Sequence, residues 1–143
     1  MKAPWFKEGS IGASGTLRSP GDFALVRART ASVTVRLTFG ASIDADTTVN
    51  IYYSPDGTNW DTIAYTSFTI AYTVSTTKQR SISLNVPEHG YMKINIVNGS
   101  SADALSNIVA WYTVQSWPMS GDIGRGATYI DTGEEKQIVE KEA

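Results

Sequence analysis

The chain has 143 residues, 41% of them hydrophobic and 18% charged, a size and composition that suit one domain with a real core. No apolar run approaches the ~20 residues needed to cross a bilayer, so membrane insertion is not expected. A formal net charge of −2 gives no basic field for a phosphate backbone, and the lack of cysteine removes disulfides and thiolate zinc sites, so neither nucleic-acid binding nor a cofactor is expected.

The first eight residues contain Trp5 and Phe6 but no apolar stretch of the signal-peptide kind, which predicts that the chain stays in the compartment where it is made. Residues 1–21 are broken by Gly9, Gly12, Gly15, Pro20 and Gly21 and read as an N-terminal arm. Trp5 and Phe6 are its expected anchors, because each aromatic can bury ~150–250 Å² and is expensive to leave in water.

Residues 22–117 read as the folded domain. A weak strand over Phe23–Arg29 is followed by period-two alternation, the mark of half-buried strands. Val33, Val35, Leu37 and Phe39 share one face, as do Val49, Ile51 and Tyr53. The next segment, Ser54-Pro55-Asp56-Gly57-Thr58-Asn59-Trp60, is a turn in which Pro55 presets φ, Asp56 caps the backbone and Gly57 supplies a positive φ.

Ile63, Tyr65, Phe68 and Ile70 do not hold one register, which predicts a bulge near Thr66-Ser67. Ile82, Leu84 and Val86 alternate up to the Pro87–Gly90 turn, and Met92, Ile94 and Ile96 alternate up to Asn98-Gly99. The last strand starts near Asn107, with at most one helical turn over residues 104–108. Its residues are apolar on both faces, which predicts burial on both sides or an outer face used for contact. Residues 118–143 read as a C-terminal arm, anchored by Trp117, Ile123, Tyr129 and Ile130. The predicted fold is all-β, an antiparallel β-sandwich or jelly roll of about seven to eight strands with extended arms at both ends.

Catalytic chemistry finds little support. His89 is the sole histidine and lies in a turn without a nucleophile-elbow motif. Asp44, Asp46, Asp56 and Asp61 cluster around two turns, where carboxylates ordinarily cap the backbone, and the pattern Asp44-Ala45-Asp46-Thr47-Thr48 lacks the glycine and distant glutamate of an EF-hand loop. Arg27, Arg29, Arg36, Lys78 and Arg80 are expected on solvated strand faces. The chain is therefore expected not to be an enzyme. Tyr52, Tyr53, Trp60 and Tyr65 flank one hairpin, and Tyr52 and Trp60 are candidate glycan-binding aromatics, the basis of an alternative reading as a carbohydrate-binding module.

The stretch from Ile51 to Thr62 is similar to a hairpin of discoidin-like and fibronectin-like modules. Combined with Val86–Ile94 and with Trp111-Tyr112-Thr113-Val114-Gln115-Ser116-Trp117, it resembles small virion proteins of tailed bacteriophages, the head decoration or cement class, over residues 23–117. That resemblance implies a structural protein of the virion, made in the host cytoplasm and seated on the capsid surface. It implies the major capsid protein as partner and a homo-oligomer, with a trimer favoured. Its arms would link neighbouring capsid subunits, and a tail, neck or fibre protein is the alternative within the same class.

Overall fold

The computed structural model describes residues 3–118. Nine strands occur in chain order: β1 (Phe6–Ile11), β2 (Thr16–Arg18), β3 (Phe23–Val26), β4 (Ala28–Phe39), β5 (Thr47–Ser54), β6 (Thr66–Ile70), β7 (Thr77–Asn85), β8 (His89–Asn98) and β9 (Leu105–Ser116). No helix occurs among the described residues. One sheet has the order β1-β9-β4-β7; the other has the order β2-β8-β5-β6, with β3 also paired to β8. Every pairing is antiparallel.

β2 faces Asn95–Val97 and β3 faces His89–Met92, so the two short strands occupy one position along the same edge of β8. Counted that way, the sheets hold eight strand positions in the two-Greek-key order of a jelly roll, as the sequence predicts. The break between β2 and β3 falls at Pro20, which has no N–H for the ladder. Ser19 holds the edge there: its N–H donates to the Ile94 carbonyl (2.9 Å) and its Oγ accepts from the Ile94 N–H (3.2 Å).

The core lies between the sheets and follows the alternation in the sequence. Val33, Val35, Leu37 and Phe39 of β4 meet Val49 and Ile51 of β5 and Met92, Ile94 and Ile96 of β8, all of them buried. Two positions depend on glycine, one in the turn after β5 and one inside β8, where Gly90 pairs with Leu25. Gly57 adopts φ 80° and Gly90 φ 126°, and a Cβ on Gly90 would stand 2.6 Å from the Tyr53 ring.

The structure departs from the sequence expectation in four places. Residues 6–11 and 16–18, expected within a free arm, pair with β9 and β8. Pairing gives their backbone groups partners and brings Phe6 and Ile11 into the core, 8% and 4% exposed. There is no bulge at Thr66-Ser67, because Ile63 and Tyr65 precede the strand and β6 pairs with β5 in unbroken register. Residues 105–108 are strand rather than helical turn, and the irregularity appears instead as a bulge: Arg36 faces Val109 while Thr38 faces Ser106, with Asn107 at φ 52°. Finally, Lys78 and Arg80 stand opposite the buried Leu37 and Val35, so their side chains lean toward the other sheet, with Lys78 half-buried and Arg80 still exposed. Their charged ends reach the edge of the other sheet, where Lys78 Nζ donates to the Ala71 carbonyl (2.8 Å) and Arg80 to that of Thr69 (2.6 Å).

Candidate functional site

The expected N-terminal anchors sit in an aromatic cluster of the domain itself. Pairing of Phe6 with Ala110 sets Trp5 beside the sandwich, and the Trp5 N–H donates to the Ala110 carbonyl (2.8 Å). The Trp5 ring meets Phe6, Phe23 and Tyr112 edge-on at 5.2–5.4 Å between centroids, while Phe23 and Tyr112 stack at 4.3 Å. Trp5 remains half-buried, so part of it is open. Ile123, Tyr129 and Ile130 lie outside the described residues.

Trp117 is 45% exposed and belongs to a different surface. Its N–H donates to the Arg27 carbonyl (2.7 Å), Ser116 Oγ donates to the Val26 carbonyl (3.0 Å), and the Arg29 guanidinium lies 5.2 Å from its ring centroid. Val26, 62% exposed, is thereby a neighbour of Trp117. The same end of the sandwich carries the long β5–β6 connection. Tyr65 is tied there through its hydroxyl to the Asn85 carbonyl (3.0 Å), and the Val86 N–H donates to the Arg29 carbonyl (3.3 Å). Val26, Ile63, Tyr65 and Trp117 make four of the six large apolar side chains most exposed among the described residues, and all four lie at this end. The other two, Tyr72 and Val74, are in the β6–β7 connection at the opposite end.

The candidate glycan aromatics lie on the outer face of the β8–β5 sheet. Tyr52 stands opposite Lys93 across the strand pair, and both are half-buried. Trp60 comes over the same face from the turn, but the Lys93 ammonium lies 4.3 Å from its ring centroid, so a cation already covers one face of that ring. Tyr53 and Tyr65 stand on the other side of the hairpin, 6.2 Å apart, and the Tyr53 hydroxyl donates to the His89 carbonyl (2.7 Å). The four hairpin aromatics therefore do not form one platform.

The turn carboxylates have structural partners. Asp56 Oδ1 accepts from the N–H groups of Thr58 (2.9 Å) and Asn59 (2.8 Å), and Oδ2 from the Asn59 side chain (2.7 Å). The Asn59 and Thr58 backbone N–H groups hold its carboxyl far below the usual carboxylate range. Asp103 is lowered by the N–H groups of Ser42 and Ala104, Asp44 Oδ1 accepts from Ser100 Oγ (2.6 Å), and Asp46 Oδ1 from the Tyr72 N–H (3.0 Å). Among the described residues no group of three His, Cys, Asp or Glu side chains could hold a metal ion. Asn98, read from the sequence as part of a turn, is buried and bridges chain segments: its Nδ2 donates to the carbonyls of Gly12 (3.1 Å) and Asp103 (2.8 Å).

No protein-family model and no curated protein matches the sequence. Among solved structures, the chain is similar to one from the IBDV viral particle, with 19% identity, a TM-score of 0.44, and 79% of this chain and 29% of that one covered. It is similar to a chain of broad bean stain virus at 10% identity and a TM-score of 0.36, covering 76% and 63% of the two chains. A cowpea mosaic virus empty virus-like particle gives 14% identity and a TM-score of 0.33, covering 66% and 61%. The chain thus spans less than two thirds of each of these proteins.

Proposed function

We propose that this protein is a non-enzymatic structural subunit of a virus particle, a decoration or cement protein that binds the outer shell of a capsid and bridges neighbouring major capsid subunits. Its jelly-roll strand order is one that capsid domains, lectins and cupins share, so the fold admits the reading without selecting it. The observation that carries it is the apolar end of the sandwich. A domain with a buried core of its own still exposes Val26, Ile63, Tyr65 and Trp117 at one end of the sandwich, and large apolar side chains concentrated in one exposed region suit a contact surface. The end also lies where β9 leads out toward residues 119–143, so the contact and the C-terminal arm would engage one partner surface. Assembly as a trimer on the capsid exterior belongs to the same proposal.

The test is binding of the purified chain to capsid shells lacking it, followed by sedimentation. Replacing Ile63 and Trp117 together by Ser should weaken binding about tenfold or more while leaving the melting temperature within a few degrees. Wild-type binding by this double variant would remove the apolar end from the mechanism. A chain that binds no capsid and is found instead in a tail or fibre would replace decoration with the other virion role.

A further inference from the structure

The outer face of the four-stranded sheet carries a groove that the assembly reading does not use. Lys7, Val109, Arg36 and Gln79 form one cross-strand row. Lys7 and Arg36 are therefore two strand spacings apart, about 10 Å between backbones, on either side of Val109. The next row contains Ser10, Ser106, Thr38 and Thr77, with the Thr38 and Thr77 hydroxyls bonded at 2.7 Å. Between the rows β9 bulges at Asn107, and β1 crosses the same place with Gly9, which has no side chain. The result is a groove of about 540 Å³, within the roughly 300–1,000 Å³ range of small-ligand clefts.

Its chemistry is that of an anion site with hydroxyl partners. Neither Lys7 nor Arg36 forms an ion pair among the described residues. The Arg36 guanidinium is instead held 5.2 Å from the Trp111 ring centroid, which preorganises it without neutralising it. Glu8 is the single carboxylate in the lining, so the two cations outweigh it. The hydroxyl row continues beyond the groove along β4 and β7, through Thr34–Ser81 (2.6 Å) and Ser32–Ser83 (2.9 Å).

We propose that this groove binds an acidic saccharide, with its carboxylate between Lys7 and Arg36 and its hydroxyls on Thr38, Thr77 and Asn107. An acidic peptide fits less well. β4 and β9 are central strands whose backbone groups are paired on both sides, so the face offers a peptide no ladder to extend. The site is on the opposite sheet from Tyr52 and Trp60, and it does not depend on the virion reading.

The experiment is titration of the full ¹⁵N-labelled chain with 3′-sialyllactose, its methyl ester, sodium acetate and a tetraglutamate peptide, followed by amide shifts. The sialyllactose is expected to shift the amides of Lys7, Gly9, Arg36 and Asn107, with half-saturation in the millimolar range, whereas the ester and acetate leave them in place. Arg36→Gln should weaken binding about tenfold, the loss of one charge-assisted contact. Gly9→Leu should abolish it with the melting temperature unchanged, because a Cβ at Gly9 meets nothing within 4 Å and the side chain would fill the groove. Trp60→Ala should leave it intact. Absent shifts, equal shifts from the ester or acetate, tighter binding of tetraglutamate, or undiminished binding in Gly9→Leu would each overturn the proposal.

Discussion

Among single residues, Asp56 shows how an exposed side chain can fix a turn. Two backbone N–H groups, the Asn59 amide and Ser54 Oγ all converge on its carboxylate, and Gly57 closes the turn at φ 80°. Because the folded carboxyl is held well below its ordinary value of 3.8, its contribution to stability is complete above that value. It is lost as pH falls from there toward the folded value, since protonation then favours the unfolded chain. Asp56→Asn keeps one acceptor oxygen but no charge, so it should melt at a lower temperature than the wild type at pH 6. The two melting curves should converge as pH falls below 3.8. Thermal melts at steps from pH 6 to pH 2 measure this, and a constant offset at every pH would mean that charge has no part in the turn.

At the scale of elements, the sequence made some strands plain and hid others for definable reasons. β4, β5 and β8 were legible because each buries one face, so Val33 to Phe39 or Met92 to Ile96 alternate without interruption. β1 was hidden because its buried residues, Phe6 and Ile11, are five positions apart with Gly9 between them, and its partner β9 lies at the other end of the sequence. The bulge at Asn107 was illegible for a similar reason, since it is fixed by pairing with β4 and not by local composition. The apolar end was legible only in part: Trp117 stood out, but that Val26 and Tyr65 lie at the same end of the sandwich depends on how its strands pair. Likewise Trp60 read as free because nothing local announces that Lys93 covers it.

β7 shows what the hidden pairing does for an edge. It is nine residues long, contains no proline, and has a paired neighbour on one side only, the situation in which strands add to other chains. Lys78 and Arg80 counter this by turning inward and bonding to carbonyls of the β6 edge and the segment after it, which ties the open sides of the two sheets together. Replacing both by Leu should therefore change thermal stability by no more than about 1 kcal/mol while promoting association beyond the wild-type state. Light scattering at rising concentration tests it; scattering identical to wild type would show that these charges do not guard the edge.

For the whole molecule, the decisive question is which end of the chain is separable from the fold. Removal of residues 1–21 would take away β1 and β2, leave β9 without its edge partner and β8 with only β3 on that edge, and uncover Phe23 and Tyr112 where the Trp5 ring now packs. Loss of a half-buried Trp alone should cost about 3 kcal/mol by analogy with large-to-small core changes, a large part of the stability of a domain this size. Trp5→Ala is thus expected to fold with a clearly lowered melting temperature, and the deletion of residues 1–21 to lose cooperative unfolding altogether. Loss of capsid binding in that deletion would then report unfolding, not a missing arm. Ending the chain at Pro118 removes no strand and no core residue among those described, so it should melt as the full chain does. Comparing the two truncations by calorimetry and by shell binding separates scaffold from arm: if the chain ending at Pro118 keeps its melting transition and loses the shell, the bridging function lies in the C-terminal segment, whereas full retention of binding assigns it to the apolar end of the sandwich.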